Sequence, residues 1–191
     1  MVRELVWTGF MSLDGVVDSP GSSSEGHRSG GWVLGTRFLP EAFSLKGEEL
    51  QETTALMFGR RSYEAFARIW PGSEDHAAYR ELPKYVVSTR LDEDSLVDDW
   101  GSITILRSIE DIAALKKDDG GAIFIHGSAA LARSLMDVGL LDRYNLLIFP
   151  VLLGAGKRLF TAEDRDATKL TLRDSAHYSN GVLKAIYDVR H

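Results

Sequence analysis

Cysteine is absent from the 191-residue chain. That excludes disulfides, thiolate metal sites, iron–sulfur clusters and thiol nucleophiles. Basic residues are in deficit: 22 Lys and Arg stand against 28 Asp and Glu, a formal charge of −6. A broad nucleic-acid surface would need a lysine- and arginine-rich face, so none is expected. No stretch approaches the roughly eighteen apolar residues of a membrane helix. The first residues, Met1-Val2-Arg3-Glu4-Leu5-Val6, alternate charge and apolarity and lack a signal peptide's apolar run. His27, His76, His126, His177 and His191 show no paired ligand spacing, so no metal site is expected either. There is no GxSxG elbow and no GxGxxG fingerprint. The expectation is a soluble cytoplasmic protein that binds neither nucleic acid nor membrane.

What is present is ordinary globular composition, 44% hydrophobic and 26% charged, in a length that fits one domain over 1–191. Short apolar runs at 5–10, 55–58, 85–87, 103–106, 122–125 and 146–153 read as strands. Helical signals fall between several of them. Pro40 opens a stripe through Ala42, Phe43, Leu45 and Leu50. Another helix runs from about Arg61 to Ile69 and stops at Trp70-Pro71-Gly72. Ser108 and Asp111 form a capping-box-like start, and Gly127-Ser128 opens a helix through Leu131, Leu135 and Val138. Alternation of this kind implies a mostly parallel sheet with helices on both faces, because parallel strands need crossovers. Two last strands, near 170–178 and 182–189, flank Asn180-Gly181 and read as an antiparallel hairpin. The turn-former-dense stretch 18–31, with Pro20, Gly21, Ser22 to Ser24, Gly26 and Gly30-Gly31, reads as a long loop, either a functional lid or a disordered patch.

Ligands of open α/β sheets bind beyond the carboxyl ends of the strands, and three such ends carry suitable chemistry. Gly59-Arg60-Arg61-Ser62 joins a tight turn and a helix start to two guanidinium groups, a combination suited to an anion. Its plainer reading is a capped helix with surface arginines. Ser88-Thr89-Arg90 offers two hydroxyls and a guanidinium to a phosphate monoester, or is simply a polar loop start. His126-Gly127-Ser128-Ala129-Ala130-Leu131 would let a pyrophosphate lie against the backbone. Asp14 after the first strand is either ligand-reaching or a turn residue before Gly15. Trp32 either closes over a planar ligand or packs on its own loop.

These segments, with Ser12-Leu13-Asp14-Gly15 and the run Pro150-Val151-Leu152-Leu153-Gly154-Ala155-Gly156-Lys157-Arg158-Leu159-Phe160, occur in an order that resembles the dihydrofolate-reductase-like superfamily. The closer resemblance is to the branch holding the C-terminal reductase domain of the bifunctional riboflavin-biosynthesis deaminase/reductase. It spans nearly the whole chain, and the 150–160 run, which folate-reducing members lack, is its most specific element. The resemblance implies a three-layer αβα fold with a mostly parallel sheet of about eight strands ending in an antiparallel hairpin, binding NADPH in an extended pose. By position, Gly59 to Ser62 would cradle phosphates and Ser88, Thr89 and Arg90 would meet the adenosine 2′-phosphate. Gly127, Ser128, Ala129, Ala130 and Leu131 would hold the pyrophosphate, and Thr8 and Gly9 would line the nicotinamide pocket. A homodimer is also implied.

Folate reductases carry a carboxylate on the helix before the Gly-Arg motif, and counting back from Gly59 by that family spacing lands on Phe43, with Glu41 half a turn away. Folate reduction is therefore not the first expectation, and without the deaminase zinc motif neither is deamination. The function so implied is NADPH-dependent reduction of a pterin- or pyrimidinone-like small molecule, similar to 5-amino-6-(5-phosphoribosylamino)uracil reductase. Asp14 would supply or position a proton, which requires a burial-raised pKa. Lys157 or Arg158 would neutralise a substrate phosphate and Trp32 would cover the ring. The alternative is a non-catalytic nucleotide- or flavin-binding dimer on the same fold.

Overall fold

The first strand, β1 (Leu5–Ser12), sends alternate side chains to opposite faces: Leu5 and Trp7 to one core, Val6 to another. It lies near the middle of an eight-stranded sheet in the computed structural model, which describes residues 2–23, 26–161 and 167–191. Ser24 of the predicted loop lies outside the described residues. The chain continues through α1 (Pro40–Glu52), β2 (Thr53–Gly59), α2 (Arg60–Phe66), β3 (Lys84–Val87) and β4 (Ile103–Leu106). It then forms α3 (Ile109–Lys117), β5 (Ala122–His126), α4 (Ala129–Asp137), β6 (Arg143–Phe149), β7 (Leu170–His177) and β8 (Leu183–Val189).

The sheet order is β4-β3-β2-β5-β1-β6-β8-β7, parallel except where β8 pairs with β6 and β7. Ile112 of α3 and Leu135 of α4 pack with Trp7, Met57 and Ile125 on one face. Leu45 of α1 and Tyr63 of α2 pack on the other, against Leu147 and Phe149 and against Phe58 and Trp100 respectively. The result is three layers. The crossover from β1 to β2 runs over one face through α1, and the one from β5 to β6 over the other through α4. A crevice therefore opens at the carboxyl ends of β1 and β5.

Three boundaries differ from the sequence reading by three residues or more. Helix α2 ends at Phe66, short of Ile69, because Trp70 N–H and Ile69 N–H both return to the Phe66 carbonyl and the Trp70 indole stacks on the Phe66 ring at 4.7 Å. Strand β6 begins at Arg143, where polar side chains hid it: Arg143 is buried against Glu52 (2.6 Å) and Glu4 (3.5 Å). It ends at Phe149, because Pro150 has no N–H to continue the ladder. The capping box holds, with Ser108 Oγ accepting from Asp111 N–H and Asp111 accepting from Ser108 N–H.

Candidate cofactor cleft and active site

At the carboxyl ends of β2, β3 and β4 a cleft of about 410 Å³ is lined by Arg60, Val87, Ser88, Thr89, Arg90 and Arg107. Ser88 shapes it. Its hydroxyl accepts from the N–H groups of Arg90 (3.1 Å) and Leu91 (3.0 Å), so the chain folds back sharply after β3. Arg107 then braces that turn from the end of β4, its Nη1 donating to the carbonyls of Ser88 (3.0 Å) and Leu91 (2.7 Å). Three guanidinium groups thus share one cleft, although Arg60 also pairs with Glu64 at 2.7 Å. Arg107 was missed from sequence. It stands alone after a short strand, and only the pairing of β3 with β4 brings it beside Ser88. Arg61 is exposed and is not among the residues lining this cleft.

The turn after β5 is joined directly to the turn after β2. Gly59 N–H donates to Ser128 Oγ (2.9 Å), and Ser128 N–H donates to Ser62 Oγ (3.0 Å). Gly127 and Ser128 are both left-handed, at φ +60° and +54°. For a serine that conformation costs on the order of 1 kcal/mol or more. At Gly127 the positive φ disfavours a side chain, and a Cβ there would also crowd Ser62 Oγ at 3.2 Å. Because Ser128 spends its hydroxyl on Gly59 and on the His126 carbonyl, it makes no side-chain cap to α4. The first N–H groups of α4 are left open to an anion. The side chains of Ala129 and Leu131 are buried in the core, so this segment offers a ligand its backbone.

Between these turns and β1 lies a polar patch of interior. His126, Thr8 and Asn145 stand in register across β5, β1 and β6. Above that row α1 places Lys46 and Glu49. Thr8 Oγ1 donates to Glu49 Oε1 (2.5 Å) and accepts from Lys46 Nζ (2.5 Å). Asn145 Nδ2 donates to Glu49 Oε1 (2.9 Å), and Lys46 pairs with Glu49 Oε2 at 3.0 Å. His126 Nε2 and Asn145 Oδ1 are buried without a hydrogen-bond partner among the described residues. Burial, with the charges of Lys46 and His76, holds His126 well below its usual pKa, so it is neutral. The Tyr79 hydroxyl is pushed up to about 12 by burial and then by Glu49. On the opposite face Trp7 Nε1 donates to the Gly127 carbonyl (2.5 Å). Gly9 has no side chain because a Cβ there would sit 2.7 Å from the Trp7 ring.

Four predicted contacts are corrected. Asp14 accepts from the Ser12 hydroxyl (2.6 Å) and from the N–H groups of Leu153 (3.1 Å) and Gly154 (2.8 Å), and it pairs with Arg158 at 3.3 Å. These bonds, Ser12's foremost, hold its carboxyl well below the usual range, the reverse of what a proton donor at neutral pH needs. Arg158 is turned toward Asp14 and Lys157 toward Asp18 (2.8 Å), so both cations are paired within the protein. Trp32 is 7% exposed, edge-on to Phe149, with Nε1 donating to the Asp18 carbonyl at 2.9 Å. It packs into the core and onto its own loop. The described parts of the 18–31 loop are likewise tied down, with Gly31 N–H on the Ser19 carbonyl and His27 Nε2 2.8 Å from the Ala155 carbonyl.

At the position sought for a folate-type carboxylate, Phe43 stacks on Phe38 at 5.2 Å, and Glu41 is exposed. The inward carboxylate of α1 is Glu49. A sequence signal existed, since Ala42, Leu45 and Glu49 form the buried stripe of that helix.

Comparison with solved structures places this architecture among the dihydrofolate-reductase-like α/β folds. A Shewanella sp. PV-4 protein provisionally assigned to riboflavin biosynthesis superposes with a TM-score of 0.73 at 18% identity, over 99% of this chain and all of that one. A pyrimidine reductase-like protein from Corynebacterium diphtheriae gives 0.63 at 16% identity, over 99% and 92%. Dihydrofolate reductase from Enterococcus faecalis, complexed with NADP(H), gives 0.55 at 15% identity, over 98% and 95%. The chain belongs to the RibD C-terminal domain family, whose model matches residues 3–184. Two Bacillus subtilis proteins are similar in sequence. The uncharacterized protein YyaP is 29% identical over 145 residues (72% of this chain, 75% of YyaP), and YwjB is 26% identical over 182 residues (95% and 96%).

Proposed function

We propose that this protein is an NADPH-dependent reductase of a pterin- or pyrimidinone-like small molecule, similar to 5-amino-6-(5-phosphoribosylamino)uracil reductase. The observation that carries the reading is the convergence of Arg60, Arg90 and Arg107 with Ser88 and Thr89 on one cleft. Planar, permanently charged guanidinium groups beside hydroxyls match a phosphate monoester, the feature that separates NADPH from NADH. The residues present fit the rest of the cofactor as well. The uncapped start of α4 and the left-handed Gly127-Ser128 turn suit a pyrophosphate, and the bonds from Ser128 to Gly59 and Ser62 hold that turn beside the arginine cleft. NADPH, when bound, would supply the hydride. The chain's own contribution is to bind the dinucleotide, to fix its orientation across the strand ends, and to present the reducible ring from the α1 face. Family membership supports the reductase assignment, as do the names of the reductase-like structural neighbours. The homodimer implied by the family resemblance is part of this proposal, with sedimentation equilibrium as its check.

Titration of NADPH and NADH against intrinsic tryptophan fluorescence tests the reading. A charge-assisted hydrogen bond is worth about 1.5–3 kcal/mol, so the wild type should prefer NADPH by roughly one to two orders of magnitude. Arg90→Ala should erase most of that preference. Equal weakening of both cofactors by Arg90→Ala would contradict it, and no binding at millimolar NADPH would end it.

A further inference from the structure

The peptide unit joining Gly127 to Ser128 is gripped at both of its polar ends. Its carbonyl accepts from Trp7 Nε1 at 2.5 Å, and its N–H donates to Ser62 Oγ at 3.0 Å. In a planar trans peptide those two groups point in opposite directions. Trp7 of β1 and Ser62 of α2 therefore hold the unit from opposite sides, with a left-handed residue before and after it.

The grip sets the direction of a dipole. Trp7 draws the carbonyl, the negative end, toward the core that packs under α3 and α4. The ladder of α4 begins with Ala132 N–H on the Ser128 carbonyl, so the N–H groups of Ala129, Ala130 and Leu131 precede it. Half a turn of the Gly127–Ser128 peptide would carry its oxygen to the side now held by Ser62. A negative dipole end would then stand between the two turns that the cofactor reading gives to the pyrophosphate, opposing the favourable field of the helix start.

Strand β1 is built to let the indole reach this far. Trp7 is fully buried, and its ring runs along the strand over Gly9, two residues on and on the same face. A Cβ at Gly9 would sit 2.7 Å from the ring, and Tyr144 backs the indole at 6.5 Å. Glycine weakens a strand interior, and a close approach such as this is what it permits. Burial alone would be served by a smaller ring without an N–H and with no glycine beside it.

We infer that Trp7 is a positioning residue for the pyrophosphate of the cofactor, acting through the Gly127–Ser128 peptide, and that Gly9 serves the same end by leaving room for the indole. This rests on the proposed NADPH reading and deepens it, because it names what orients the turn that the dinucleotide meets.

Calorimetric titration tests the inference, since Trp7→Phe changes the tryptophan fluorescence itself. The probes are NADPH and adenosine 2′,5′-bisphosphate, which keeps the 2′-phosphate but has no pyrophosphate. Trp7→Phe retains a buried ring that cannot donate, and Gly9→Ala retains the indole but displaces it. Each variant should bind NADPH roughly three- to tenfold more weakly, the worth of one hydrogen bond, and bind the bisphosphate as the wild type does. A folded variant that binds NADPH like the wild type overturns the inference. Equal weakening of both ligands also overturns it, because a purely structural role would act on both alike. If neither variant folds, the Trp7 indole N–H resonance of the ¹⁵N-labelled wild type decides. It should shift with NADPH and stay in place with the bisphosphate; a resonance that ignores both, or answers both alike, overturns the inference. Wild-type NADPH binding that the variants share removes this inference alone, whereas a wild type that binds no NADPH removes the reductase reading and this inference with it.

Discussion

Replacing Asp14 with Asn separates a catalytic carboxylate from a structural clamp. The carboxylate accepts four hydrogen bonds, from Ser12, Leu153, Gly154 and Arg158, and so pins the loop after β6 to the turn after β1. Asn keeps one acceptor oxygen and loses the charge. The contacts to Gly154 and Arg158 on the second oxygen have no replacement. Charge-assisted hydrogen bonds contribute about 1.5–3 kcal/mol each, and partial re-solvation at this half-buried site brings the loss toward the lower figure. We expect Asp14→Asn to cost about 2 kcal/mol in urea unfolding at pH 7. For a chain of this size that is a fall in Tm of roughly 4–8 °C. The pH dependence follows from the lowered native pKa. Below the ordinary aspartate value of 3.8 the unfolded chain takes up the proton first. The stabilisation is therefore complete above that value and drains away as pH falls further. The gap between wild type and variant should be full at pH 7 and clearly smaller at pH 3. Hydrogen exchange should show the Leu153 and Gly154 amides losing protection. A variant as stable as wild type at pH 7 that has lost turnover would refute the clamp and return Asp14 to the chemistry.

Two further stability tests follow from the fold. Lys84 is fully buried, donates to the carbonyls of Tyr79 and Arg80, and is pushed down by burial to about 8 from 10.5. Between those values the unfolded chain holds more protons, so stability should rise with pH relative to a Lys84→Met variant, and a parallel pair of curves would refute the shift. Ser108→Ala removes the side-chain half of the α3 capping box and should cost about 1 kcal/mol in urea unfolding, with no change in cofactor binding.

The layered architecture was legible because its signals are local. Apolar runs of strand length, the Ser108–Asp111 cap and the Asn180-Gly181 turn each act over a few residues, and each appears in the structure as an element or its boundary. Misplaced boundaries came from side chains whose partners are distant. Arg143 reads as a loop residue until Glu4 and Glu52 are brought to it, and Trp70 ends α2 by stacking on a ring that the sequence does not place beside it.

The candidate site divides the same way. Composition, the Gly59–Ser62, Ser88–Arg90 and Gly127–Leu131 segments, and their order along the chain were enough for the sequence to specify a parallel α/β sheet with anion-suited strand ends. Which of those groups share a cleft was decided by strand order. Arg107 joins Arg60 and Arg90 because β4 lies beside β3, while Arg61, one residue from Arg60, is not among the lining residues. Strand order and helix facing also gave Asp14, Asp18, Lys157 and Arg158 to one another, and set Lys46 and Glu49 over Thr8 and Asn145. Residues far apart in sequence acquire their charges' partners only when the sheet closes, so a pKa, an ion pair or a free N–H has no value before the chain has folded.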